Sequence, residues 1–85
     1  MTKGPKNLKF STRVRLYKEG YLSVCVYKNV TLRDDVYYDI VFFRKTKNGT
    51  GKQEFKRGAN LKPGDLPILR RLLAEAEEFL AAETT

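Results

Sequence analysis

The periodicity of the chain changes once, at Pro63-Gly64, and this change constrains the fold more than any other feature. Before it, apolar residues recur at every second position, the spacing of strands with one buried face. After it, Leu66, Leu69, Leu72, Leu73, Ala76, Phe79 and Leu80 recur at helical spacing. Asp65 is placed as an N-cap, and Pro67 falls in the first turn, where its missing N–H costs little. The spacing predicts a helix from about Leu66 to Ala82. Glu77, Glu78 and Glu83 oppose the macrodipole at its end, so fraying is expected there.

Four strands precede the helix. In the first, residues 8–18, Phe10, Thr12, Val14 and Leu16 share one side, and Lys9, Ser11, Arg13, Arg15 and Tyr17 the other. Glu19-Gly20 marks a tight turn. The second, residues 21–30, sets Leu22, Val24 and Val26 against Tyr21, Ser23, Cys25 and Tyr27. "TLRDD" is a polar connection to the third strand, residues 36–46. Asn48-Gly49 is a hairpin signal, and a shorter, polar fourth strand, residues 52–61, has Phe55 as its main apolar residue. Strands followed by a helix predict an α+β fold: a four-stranded antiparallel meander with one face under a C-terminal helix, ββββα. Residues 8–85 read as one domain, and residues 1–7 as a flexible basic arm.

The third strand carries large apolar groups at both parities, with Tyr38, Ile40 and Phe42 on one side and Tyr37, Val41 and Phe43 on the other. Asp39 chooses between them, because a lone carboxylate is expensive to bury. The helix-covered side is then Tyr38, Ile40 and Phe42, joined by Leu22, Val24, Val26, Phe10, Val14, Leu16 and Phe55. The other face should display Lys9, Arg13, Arg15, Tyr17, Tyr21, Cys25, Tyr27, Tyr37, Val41, Phe43, Lys45, Lys52, Glu54 and Lys56. It is aromatic and strongly basic.

Charge gives that face a partner class. The 85 residues carry a formal net charge of +7, which favours polyanions or acidic surfaces. Residues 1–62 hold 15 Lys and Arg against 5 Asp and Glu, a net of +10, and residues 63–85 hold 2 against 5, a net of −3. Rings interleaved with cations suit single-stranded nucleic acid, whose bases stack on the rings while cations follow the phosphates. A duplex hides its base faces. Two plainer readings fit the same residues: aromatics favour strands and cross-strand pairs, and Lys discourages edge aggregation. A face buried in a dimer is a third.

Other classes find little support. There is no histidine, the carboxylate pair Asp34-Asp35 lies in a turn, and Cys25 has no activating partner, so no enzyme, cofactor or metal is expected. "NGTG" lacks the Lys-Ser/Thr and helix of a phosphate loop. One cysteine permits no intrachain disulfide. No run is long enough for a membrane span, and "MTKGPKNLK" has no apolar core of a signal peptide. The two N-x-T matches, at Asn29 and Asn48, read as turn chemistry. The expected location is cytoplasmic, nucleoid association included, with no membrane and no small-molecule substrate.

The stretch "RKTKNGTGKQEFKRGANLKPGDLPILRRLLAEAEEFL" resembles a group of small prokaryotic proteins of unassigned function, over roughly residues 13–80. Those chains have a hairpin like "KTKNG", a short strand, and a helix opening with "DLPIL". The sharpest element, Asp65-Leu66-Pro67 with Leu69, is a helix start and not a chemical site. More distantly, the element order resembles the single-stranded-DNA-binding domain of the transcriptional coactivator positive cofactor four, whose plan the Whirly proteins share. "FKRGANLKPGDLPILRRLL" stands where that family has its last strand, a Gly and a helix. The resemblance implies a homodimer paired through helices and a sheet that grips single strands. The longer first two strands and the acidic helix end depart from it, so no individual binding residue is carried over.

The expectation is a homodimeric module for single-stranded DNA or RNA, most simply DNA, in transcription, replication or repair. The alternative is a dimeric protein-interaction module. The binding set is Lys9, Arg13, Arg15, Tyr17, Tyr21, Tyr27, Tyr37, Phe43, Lys45, Lys52 and Lys56, and the dimer contact Ile68, Leu72 and Phe79. The helix stripe is wider than one small sheet face needs, and isologous dimers are the commonest oligomers.

Overall fold

Strands β1 (Leu8–Glu19), β2 (Leu22–Thr31), β3 (Val36–Lys47) and β4 (Gln53–Arg57) form one antiparallel sheet in the order β1-β2-β3-β4, and helix α1 (Asp65–Thr84) follows. This is the ββββα meander that the change of period predicts. The structure, a computed structural model, describes residues 8–47 and 49–84. The expected basic arm and Asn48 of the hairpin turn lie outside the described residues.

Local chemistry explains the turns. Between β1 and β2, Gly20 takes φ +60°, a conformation that side chains resist and that hairpin turns need. Between β2 and β3, Thr31 Oγ1 accepts the N–H groups of Arg33 (3.2 Å) and Asp35 (3.0 Å), while Asp34 adopts φ +68°. Asp is among the few residues with a side chain that tolerate this region.

α1 packs on β2 and β1. Leu22, Val24 and Val26 of β2 are fully buried against Leu72 and Ala76. Each such Leu or Val contributes about 1.5–3 kcal/mol relative to exposure. Tyr38 and Phe42 pack at the margin of this core as expected, but Ile40 and Phe10 do not: they are 42% and 49% exposed because the helix does not extend over them. Leu72, an expected dimer contact, is inside the core at 2% exposure and has no surface to offer a partner. Ile68 and Phe79 also turn inward, each half-buried against the same cluster.

The faces of β1 require a correction. Its register against β2 shifts between Arg13, opposite Tyr27, and Arg15, opposite Val26. Such a bulge adds one residue to one strand, so every later side chain changes face. Arg15 and Tyr17, expected on the open face, lie on the helix side. Arg15 Cζ sits 4.5 Å from the Phe79 ring centroid, and Tyr17 packs against the core. Glu19, beyond them, is ion-paired with Arg71 of α1. Leu16, expected in the core, faces the other way, opposite Cys25.

β4 is also reversed. Phe55 pairs with Lys45, and Arg57 with Phe43, so both stand on the open face. Lys56 pairs with Arg44 and lies on the helix side with Glu54, contrary to expectation, and Lys52 precedes the strand. The physical reason is cover. α1 packs on β1 and β2, leaving the helix side of β4 to solvent, where charged residues are tolerated.

The helix begins with a clamp rather than the simple cap expected. Asp65 accepts from the Lys62 backbone N–H (2.8 Å) and from Arg44 Nε (2.6 Å). The carboxylate thus reaches back to a backbone N–H three residues ahead of the helix and ties α1 to β3.

Candidate nucleic-acid interface

The face without a helix is roofed by side chains from both sheet edges. Lys18 of β1 and Lys45 of β3 approach the Phe55 ring of β4 at 5.0 and 5.3 Å from its centroid. Beneath them, Ser23 and Cys25 are 6% and 2% exposed although no helix covers them. A flat sheet would hold β1 and β4 about 14 Å apart, three strand spacings. Long side chains leaning inward from the edges turn the face into a trough.

Two hollows lie in this trough. One, of about 220 Å3, is lined by Arg13, Leu16 and Lys18 of β1, Ser23, Cys25 and Tyr27 of β2, Phe43 and Phe55. The other, of about 210 Å3, is lined by Ser11, Tyr27, Asp39, Val41 and Arg57. Tyr27 belongs to both. Each is smaller than the roughly 300–1,000 Å3 of ordinary small-molecule pockets. Their lining supplies rings, aliphatic surface and three cations, Arg13, Lys18 and Arg57.

A polar ladder holds the strands in register beside the second hollow. Ser11 Oγ donates to Asn29 Oδ1 (2.5 Å), and Asn29 Nδ2 donates to Asp39 Oδ2 (3.0 Å), joining β1, β2 and β3. Asn29 is 2% exposed, and among the described residues no buried side-chain polar atom lacks a partner. Asp39 stands on the open face, as its charge requires, opposite Tyr27.

The structure brings together some of the expected binding residues and disperses others. Arg13, Tyr27 and Phe43 line the trough, and Lys45 overhangs it. Tyr37 is on the same face, opposite Asn29 and beyond the hollows. Lys9 is ion-paired with Asp34 in the β2–β3 turn. Tyr21 lies in the β1–β2 turn, 5.9 Å from Arg44, and lines a separate hollow. Arg15, Tyr17, Lys52 and Lys56 are outside the trough. Lys18, Arg57, Leu16 and Phe55 are trough residues that the sequence reading missed. A signal for the first existed: Val14, Leu16 and Tyr17 put large apolar groups at both parities of β1, as a bulge allows.

The least exposed ion pair among the described residues, Arg44–Asp65, lies apart from the trough. Hydrogen bonding to Arg44 holds the Asp65 carboxyl below its ordinary value, helped by the Lys62 N–H, and the same hydrogen bond raises Arg44. Among the described residues, no group of acidic, Cys or His side chains could hold a metal ion, and no helix is long and apolar enough to cross a membrane. The chain matches no family model, no curated protein and no solved structure.

Proposed function

We propose that this chain binds single-stranded nucleic acid, most simply DNA, along the trough, and that it does so as a homodimer. The observation that supports this best is the pair of small hollows sharing Tyr27, bordered by Arg13, Lys18 and Arg57. A linear polymer with one flat group per repeat can set successive bases against Tyr27, Phe43 and Phe55 while cations meet its phosphates. A duplex presents no free base face to such a site. Asp39, held in place by the buried Asn29, offers a carboxylate acceptor at the second hollow, where a base edge would lie. In a prokaryotic cell the work of such a module would be cytoplasmic, where transcription, replication and repair expose single strands.

The second copy would cover apolar surface that α1 leaves open. Leu66 and Leu73, two turns apart on one side of the helix, are 50% and 40% exposed. They replace Leu72 as candidate contacts.

Fluorescence anisotropy with labelled single-stranded and duplex oligonucleotides, at low and moderate salt, tests the reading. Tighter binding of the single strand, weakening as salt rises, is the expected result. Equal affinity for the duplex, or no binding at low salt, rejects it.

A further inference from the structure

The helix side of β3 and β4 carries a larger hollow of about 660 Å3, lined by Arg44, Lys47, Lys56, Arg57 and Lys62. The linker 58–62 forms one wall, fixed where the Gly58 N–H donates to the Phe42 carbonyl (3.0 Å). No acidic and no aromatic side chain lines it. The nearby Asp65 is engaged by Arg44 and by the Lys62 N–H. Among the described residues, Lys47, Lys56 and Arg57 form no ion pair. Clustered cations repel one another, and a phosphate chain would relieve that repulsion. Without a ring, the site offers nothing for a base to stack on.

Continuity with the trough identifies the chain. Arg57 lines both this hollow and the trough hollow that holds Tyr27 and Asp39. The Arg57 guanidinium therefore joins the two hollows at the β4 edge. We propose that a single strand bound in the trough continues over β4 into this hollow, where Lys56 and Lys62 hold its backbone phosphates. The strand is read by rings on one side of the sheet and held by charge alone on the other. The ligand's identity rests on the reading in the preceding subsection; the hollow and its charges do not.

The test is anisotropy with oligothymidines of about 4 and about 16 nucleotides, the limits of common single-strand site sizes. Affinity is followed from roughly 50 to 200 mM salt. For the longer strand, the variant Lys56→Ala with Lys62→Ala should lower the log–log salt slope by about 1.4, from two phosphates at about 0.7 each. For the shorter strand, the slope should not change. Lys56→Arg with Lys62→Arg should restore it. Both lysines are exposed, so the melting temperature should hold; if the alanine pair unfolds, glutamines at both positions carry the same comparison. An unchanged slope with the longer strand, or an equal fall at both lengths, overturns the wrap. Phe55→Ala separates the two readings. If it weakens binding while the lysine pair does nothing, the trough stands and the wrap falls. If the lysine pair lowers the slope while Phe55→Ala has no effect, the hollow stands as a phosphate site and the trough falls. If the native protein binds neither oligomer, both fall.

Discussion

Lys18 Nζ stands 5.0 Å from the centroid of the Phe55 ring, although β1 and β4 are opposite edges of the sheet. Lys45 approaches the same ring at 5.3 Å. Each such contact is worth about 0.5–1 kcal/mol where it is exposed. Together they close a roof over Ser23 and Cys25. A bound strand would compete for the same groups, its phosphates for the lysines and a base for the ring. Binding of the proposed strand would therefore be coupled to the state of the roof.

Cys25 reports on that roof. Phe55→Ala should raise the rate at which iodoacetamide alkylates the buried thiol severalfold, because the ring covering the hollow is gone. The same variant should lose roughly 1–3 kcal/mol of single-strand affinity, the cost of one base stack. An alkylation rate equal to that of the native protein would show that the ring does not shield the thiol.

The element order was legible because Pro63-Gly64 separates two periods and no competing pattern crosses it. The parity of β3 was legible because Asp39 is a carboxylate with one acceptable side. β1 and β4 were not. The bulge at Val14 is a backbone event with no composition of its own, and it moves Arg15, Leu16 and Tyr17 together. As the main apolar residue of a polar strand Phe55 reads as core, but that reading assumes helix cover on β4, and α1 packs elsewhere. Alternation gives sides relative to a strand; only tertiary packing says which side is dry.

The two arginines flanking the bulge should behave differently. Arg13 lines the trough, so Arg13→Ala should lower the salt slope for a single strand by about 0.7 and leave stability nearly unchanged. Arg15 stacks on Phe79 on the other side. Arg15→Ala should keep the slope and cost about 0.5–1 kcal/mol of stability. Urea denaturation beside the salt titration distinguishes the two, and exchanged phenotypes would place the bulge elsewhere.

Acid should loosen the joint between helix and sheet. The Asp65 carboxyl titrates below its ordinary value because Arg44 donates to it. Its contribution is therefore complete above the usual aspartate range, near about 3.9, and is lost as pH falls through the lowered folded value. Asp65→Asn should lower the melting temperature at neutral pH, because the charge-assisted bond from Arg44 is lost. Towards acid the two proteins should converge, as the native carboxyl also loses its charge. A gap that stays constant down to low pH would mean that the Arg44 charge contributes nothing.

Leu72 and Leu73 are neighbours in sequence with opposite surroundings, one 2% and the other 40% exposed. Leu72→Ala removes a core side chain and should destabilise by roughly 2–5 kcal/mol through the cavity it leaves. Leu73→Glu adds a charge to the open side of α1. In a monomer this position is solvent and the fold should be unaffected. In the proposed dimer, the charge would be buried against a second copy, where it lacks a partner and is costly. Sedimentation at micromolar concentration should then show a native dimer and a folded Leu73→Glu monomer. The native melting temperature should also rise with protein concentration, as mass action requires of a dimer. A native protein that sediments as a monomer removes the dimer from the reading. A variant that remains dimeric moves the interface away from the Leu66–Leu73 side of the helix.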